Sequence, residues 1–325
     1  MKKALVVGID YYENGSSLYG CVNDANQIKA MLARHGDGTL NFDVKLQVAT
    51  NPTSSITRKD LKTQIEELFE DKTEIALFYF SGHGDIQSTG GYLITSECQH
   101  GDDGLSMNEL MQIANNSPSR SKIIVLDCCN SGIAGDLSPD ENRAILSEGT
   151  TILTASSKDQ YAIEKNGSGV FTALFVDALS GSAANLIGHI TPGSVYAHID
   201  QSLGPWEQRP IFKTNVTNFT TLRIVQPSIS LKNLRRITDL FPVKGQEFQL
   251  DPTYEPYRSP GDSDKIPAPI DKHVADFKIL QKYNRVNLLV PVNAPHMWHA
   301  AMESKSCKLT ILGEFYWDLV KNERL

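Results

Sequence analysis

Four short, almost unbroken apolar runs punctuate the first half of the chain: ALVVGI (4–9), EIALFYF (74–80), KIIVLD (122–127) and TILTAS (151–156). Runs of that length without polar alternation predict parallel strands covered on both faces. DVKLQVAT (43–50) alternates instead, the pattern of a half-exposed or edge strand, and RPIFKTN (209–215) supplies a last strand. Helical periodicity fills the gaps. NDANQIKAMLARHG (23–36) places Ile28, Met31 and Leu32 on one face and ends at Gly36. TRKDLKTQIEELFED (57–71) aligns Leu61, Ile65, Leu68 and Phe69. SMNELMQIANNS (106–117) opens with Ser106 and Glu109 at capping-box spacing, and GVFTALFVDALSG (169–181) stops at a glycine. Strands alternating with helices predict an α/β three-layer sandwich around a mostly parallel six-stranded sheet.

From Gln226 the texture changes. Residues 241–272 carry six prolines and little periodicity, so 226–272 is read as an irregular Pro-rich linker between a domain at 1–225 and a small module at 273–325. That module is expected to be mainly helical: VADFKILQKYN (274–284), an apolar VNLLVPV (286–292), APHMWHAAMES (294–304), then a helix capped by Thr310 in which Phe315, Trp317, Leu319 and Val320 mostly supply core. The order vaguely suggests a winged helix, an analogy of fold alone. His296 and His299 at i, i+3 lack a third ligand nearby, which favours a packing or surface role over metal binding.

Composition narrows the function classes. The chain has 325 residues, 40% apolar and 21% charged, and a formal net charge of −7, which argues against a dedicated nucleic-acid or anionic-membrane binder. The last hundred residues hold 14 basic against 12 acidic side chains, too even for a nucleic-acid footprint. Five cysteines without a CxxC spacing argue against a disulfide framework or a structural zinc. The opening MKKALVVGID reads as a first strand and not as a signal peptide, and a cytoplasmic protein with reduced thiols is expected.

Candidate chemistry sits at the strand ends. DCCNSG closes the third apolar run with two adjacent thiols, Cys128 and Cys129, and SGHGD closes the second with His83. In an open α/β sheet the carboxyl ends of neighbouring parallel strands share one crevice, so a histidine and a cysteine 46 positions apart can meet there. Taken singly, each residue has a plain alternative: cysteine is commonly buried for packing, and a histidine between glycines can cap a turn.

SGHG and DCCNSG resemble the histidine and cysteine motifs of the caspase-like cysteine peptidases, in particular the prokaryotic metacaspase-like (orthocaspase) branch with its D-x-C-[HNS]-S-G signature. The likeness runs in order through ALVVGID, LYGCVNDA (18–25), SGHG, DCCNSG, TASSKDQ (154–160), GVFTALF (169–175) and FKTN (212–215), covering about residues 1–225. It implies a caspase-like sandwich and a Cys-His dyad in which Cys129 is the nucleophile, His83 the acid-base partner and Cys128 a core neighbour. It further implies an oxyanion hole in the backbone N–H groups of Cys129 and Gly84, where loss of one donor costs about 3 kcal/mol of transition-state stabilisation.

The same resemblance implies an acidic pocket that selects Arg or Lys. Asp127 and Asp24 match its acids, Cys21 and Ser81 its smaller wall residues, and Asp159 falls in a loop that often closes it. Alternatives remain open here: Asp24 as an N-cap, Asp159 as a turn acid. Bidentate recognition favours Arg over Lys. Arg143, in the polar loop 133–150, is a candidate for self-cleavage, with an ordinary solvated loop as the alternative. Eukaryotic metacaspases often need calcium. Asp136 matches one of their ligands, but Met107-Asn108 replace the paired aspartates, and Asp102 and Asp103 are out of register. No cofactor is expected; calcium is permitted but not required. The implied activity is a cysteine endopeptidase acting on proteins after basic residues, in a bacterial stress, cell-death or anti-phage pathway. The competing class is a catalytically silent or partner-gated signalling scaffold. A regulatory protein partner is expected at the C-terminal module, and no membrane or nucleic acid.

Overall fold

The computed structural model describes residues 1–325 except 129–130, 132–133, 135, 139–140, 156–163, 166–167, 205–208 and 258–265; for 136–138, 141–144, 164–165 and 168 it describes the backbone alone. The chain divides into two compact units, Met1–Gln226 and Pro227–Leu325.

Along the first unit the elements are β1 (Lys2–Ile9), α1 (Cys21–Ala33), β2 (Phe42–Ala49), α2 (Arg58–Glu70) and β3 (Ile75–Ser81), then the short strands β4 (Gly84–Gln87), β5 (Gly90–Leu93) and β6 (Leu105–Ser106). There follow α3 (Met107–Asn115), β7 (Ser121–Asp127), a hairpin of β8 (Asp136–Ser138) and β9 (Glu141–Ala144), and β10 (Thr150–Thr154). The unit closes with β11 (Glu164–Lys165), β12 (Ser168–Gly169), α4 (Val170–Asp177), β13 (His189–Ile190), α5 (Pro192–Ser202), β14 (Ile211–Asn215) and β15 (Arg223–Ile224).

Six strands form the central sheet in the order β14-β10-β7-β3-β1-β2, all parallel except β14, which runs antiparallel to β10. Successive residues of a strand face opposite sides, and both sides are covered. Phe78, Phe80, Ile124 and Leu126 pack with α2 and α3 on one face, whereas Leu77, Tyr79, Val125 and Leu153 pack with α1, α4 and α5 on the other. This double burial is why β3 and β7 read as continuous apolar runs.

Several helix ends differ from the sequence pattern. The helix expected over 23–36 stops at Ala33, because Arg34 turns extended to bridge Leu40 and the Gly36 N–H is taken by the Ile224 carbonyl. Ser106 caps α3 through the Asn108 N–H, but Glu109 does not complete a capping box. It bonds Lys62 Nζ at 2.6 Å and Arg58 at 3.2 Å, fastening α3 to α2, and the Lys62 ammonium holds its carboxyl below the usual range. α5 and the β4-β5-β6 meander carry no strong periodic signal.

β1 and α1 approach closely at Gly8. A Cβ there would overlap the Cys21 carbonyl oxygen and stand 2.8 Å from Ala25 Cβ. Backbone atoms cannot swing aside, so Gly8→Ala is expected to destabilise the first unit by about 2 kcal/mol. Urea unfolding measures this, and an unchanged midpoint would refute the close contact.

In the second unit the elements are α6 (Leu231–Arg235), α7 (Ile237–Leu240), β16 (Phe248–Gln249), α8 (Asp271–Arg285), β17 (Leu289–Val292), α9 (Met297–Met302), β18 (Ser306–Leu309) and α10 (Ile311–Lys321). Residues 226–272, read from composition as an irregular linker, are in part built into this unit. Leu234, Ile237, Phe241 and Leu250 are buried, Trp317 Nε1 donates to the Phe241 carbonyl, and β16 joins the antiparallel sheet β16-β18-β17. The prolines fall between these short elements and left no periodicity to read. Thr310 caps α10 as expected, but Phe315 is 53% exposed while Trp317 is buried. No helix among the described residues is long and apolar enough to cross a membrane.

Candidate active site

Gly8, Ser81 and Asp127 are register partners on β1, β3 and β7, so the carboxyl ends of three parallel strands reach the same level. Adjacent strands lie about 4.8 Å apart. His83 stands two residues beyond Ser81, and Cys129 two beyond Asp127. Cys129 and Asp159 lie outside the described residues, as does the side chain of Arg143. Cys128 is 1% exposed and packs with Ile9, Tyr12 and Leu126, so this thiol of the adjacent pair belongs to the core.

His83 is held from both ends. Its backbone N–H donates to the Tyr12 hydroxyl at 2.7 Å, and the Tyr12 ring lies against the imidazole with centroids 4.6 Å apart. Burial, first, and the neighbouring Cys21, Cys128 and Asp10 push the Tyr12 phenol well above its usual value, so it stays neutral. At the other end, Nε2 is 2.8 Å from the Ser16 carbonyl oxygen. A carbonyl only accepts, so Nε2 carries the hydrogen, and in the neutral ring Nδ1 keeps the lone pair. The loop supplying Tyr12 and Ser16 is itself fastened, with the Tyr11 N–H on the Ala49 carbonyl and the Glu13 N–H on the Ser96 carbonyl. Gly84 follows directly, opening β4 opposite Leu93.

The two candidate pocket acids meet around Gly169. Asp24 lies in the first turn of α1 and is 1% exposed; its Oδ2 accepts the Gly169 N–H at 3.0 Å. It is not the helix cap. That role falls to Asp10, whose Oδ1 accepts from Cys21 N–H at 2.9 Å and Val22 N–H at 3.3 Å. Burial raises the Asp10 carboxyl, and these two amide donors oppose the rise. Asp127 is 5% exposed, and its Oδ2 accepts from Thr172 Oγ1 at 2.7 Å. A Cβ on Gly169 would overlap Asp127 Oδ2 and come to 3.2 Å from Asp24 Oδ2. Both carboxylates therefore flank one point in space, reached from β7, α1 and the start of α4. Cys21 and Ser81 are also buried, at the head of α1 and the end of β3, where Ser81 is the register partner of Asp127. Among the described residues, no group of three or more His, Cys, Asp or Glu is arranged to hold a metal ion.

Sequence reading singled out His83 by its place after a predicted strand and the acids by the caspase-like resemblance. It missed Tyr12, Ser16, Gly169 and Thr172. Tyr12 and Ser16 act through a hydroxyl and a carbonyl that no residue pattern marks, although Tyr12 does fall just after the first apolar run.

A six-stranded, mostly parallel sheet with helices on both faces is the architecture of the caspase-like α/β sandwich, and His83 and the two buried acids lie at the carboxyl ends of its strands and beside them. The caspase domain matches residues 1–220. Metacaspase-1 of Plasmodium falciparum is 30% identical over 155 residues, covering 42% of this chain and 25% of that protein. Metacaspase-4 of Arabidopsis thaliana is 32% identical over 87 residues, covering 26% of this chain and 20% of its own. The matched regions thus span a quarter or less of these relatives' length. A Geobacter sulfurreducens protein of known crystal structure superposes with a TM-score of 0.52 at 15% identity, covering 70% of this chain and 100% of the other, and shares the fold. This chain belongs to the caspase-domain family and is similar over part of its length to metacaspases.

Proposed function

We propose that this chain is an endopeptidase that cuts proteins after Arg or Lys through a Cys129–His83 dyad. The observation that carries the specificity is the buried pair Asp24 and Asp127 flanking one point beside the strand ends. Two carboxylates this close in a low-dielectric setting concentrate negative charge, and a substrate guanidinium or ammonium complements it. Cys129 as thiolate adds to the scissile carbonyl. The His83 imidazolium protonates the departing amine, leaving a thioester. Neutral His83 then takes a proton from water, whose oxygen displaces the sulfur and releases the new carboxyl terminus. The Ser16 contact suits both steps, since it keeps the ring oriented and leaves Nδ1 as the atom that exchanges the proton. Backbone N–H groups of Cys129 and Gly84 are assigned to the oxyanion. Asp159 is assigned to the pocket's closing loop. No metal enters the scheme, and calcium is treated as dispensable.

A panel of fluorogenic peptides ending in Arg, Lys, Asp or Ala tests the reading. Cleavage of the Arg and Lys members alone, unaltered by a calcium chelator, is the expected result; preference for Asp or Ala would refute it. Self-cleavage after Arg143 belongs to the same proposal and gives two fragments from wild type and none from Cys129→Ala. The setting proposed, from the resemblance to prokaryotic relatives, is cytoplasmic, in stress, cell death or anti-phage defence, where the peptidase activates an effector such as a pore-forming protein. Loss of phage resistance in a host carrying only Cys129→Ala is the corresponding test. The second unit is proposed to recruit a regulatory protein or the substrate, so deleting 227–325 is expected to spare peptide cleavage and abolish cleavage of the natural substrate.

A further inference from the structure

Asp127 is the end of a hydroxyl relay that begins in the core. Thr172 Oγ1 lies 2.7 Å from Asp127 Oδ2, and Tyr79 OH lies 2.5 Å from Thr172 Oγ1. Each hydroxyl owns one proton, and an ionised carboxylate only accepts. Thr172 therefore donates to Asp127, and Tyr79 must donate to Thr172. Burial and then the charges of Asp127 and Asp24 hold the Tyr79 phenol well above its usual value, so its proton stays available. Both side chains are fully buried, Tyr79 in the middle of β3 and Thr172 in the first turn of α4. A Phe and a Val would fill the same space without any hydroxyl to satisfy, and unsatisfied polar groups in such a place are costly. What two hydroxyls add is a fixed, charge-stabilising donor on a carboxylate.

We infer that Tyr79 and Thr172 are positioning residues that set substrate specificity, holding the Asp127 carboxylate in one orientation so that it meets the cationic side chain of the substrate. The inference rests on the basic specificity proposed above. Asp24 receives the parallel service from the Gly169 N–H, one turn earlier at the head of the same helix. The pocket's two charges are thus aimed by one segment, 169–172. A planar guanidinium needs both oxygens in set directions, whereas an ammonium tolerates misalignment. Slackening the relay therefore penalises Arg more than Lys.

The test compares Thr172→Val, Thr172→Ser and Tyr79→Phe with wild type on Arg and Lys peptides, alongside alkylation of Cys129 by iodoacetamide, which does not use the pocket. Thr172→Val is expected to raise KM for the Arg peptide about ten- to a hundredfold, the effect of losing one hydrogen bond to a charged group. kcat falls less than KM rises, the Arg-to-Lys preference shrinks, and alkylation keeps its rate. Tyr79→Phe moves the same way by less, and Thr172→Ser, which retains the donor, restores the Arg KM. Unchanged KM and preference in both Thr172→Val and Tyr79→Phe overturn the inference. If Thr172→Val does not fold, Tyr79→Phe alone decides it. A wild type that is alkylated at Cys129 yet cleaves no Arg or Lys peptide overturns the specificity reading, and this inference with it.

Discussion

Cys129→Ala is expected to lower kcat/KM on an Arg-ending peptide by about four orders of magnitude or more, the scale on which loss of a covalent nucleophile acts. In the proposed scheme the sulfur forms the bond that every step passes through, and Cys128 cannot replace it, because Cys128 is sealed in the core. His83→Ala is expected to cost nearly as much. The two act as a unit, so the double variant should be scarcely worse than either single one, whereas independent contributions would multiply. Stopped assays on the three variants, with thermal unfolding to show that each is folded, measure this. Activity in Cys129→Ala within tenfold of wild type would remove the dyad from consideration.

Asp127→Ala is expected to have the largest effect outside the dyad, a loss of about a hundred- to a thousandfold in kcat/KM on Arg and Lys peptides, mostly in KM. Deleting one partner of a buried charge pair typically costs 3–5 kcal/mol, and part of that is recovered here because Asp24 remains to face the substrate cation. The sign is informative. Removing a negative charge weakens a cationic substrate and relieves repulsion toward a neutral one, so a citrulline-ending peptide should gain relative to Arg. The ratio of the two rates in Asp127→Ala and wild type is the measurement. An undiminished preference for Arg would move the pocket elsewhere.

Much of the first unit was legible because its strands are doubly covered. β1, β3 and β7 have no polar face to interrupt them, and the edge position of β2 left its alternation visible. β14, the antiparallel edge, was readable from RPIFKTN alone. The short strands β4 to β6 and β16 to β18 were mostly not, since pieces of two to four residues are stabilised by what they pair with and not by their own pattern. α5 escaped for a related reason: only Val195 and Ile199, with Pro192, give it a buried stripe. In the second unit, prolines marked a linker where folded elements stand between them.

The site divides along the same line. Residues to which the proposal assigns chemistry by side-chain identity stood out in their motifs. Residues that orient them did not. Ser16 contributes a carbonyl that any residue could supply, Gly169 contributes an N–H and an empty space, and Thr172 reads as one polar position on an otherwise apolar helix. Such roles exist only once the chain has brought β3, β7, α1 and α4 to one place.

The anchoring of His83 by Tyr12 and Ser16 has a bearing on gene expression. The next methionine after Met1 is Met31. A product started there by internal translation would retain both SGHG and DCCNSG. It would lack β1, an inner strand of the sheet, together with the loop that orients the imidazole and the acid at position 24. A motif search would score that shortened polypeptide as intact, yet His83 would have lost its Tyr12 and Ser16 anchors and Asp127 its acidic neighbour across Gly169.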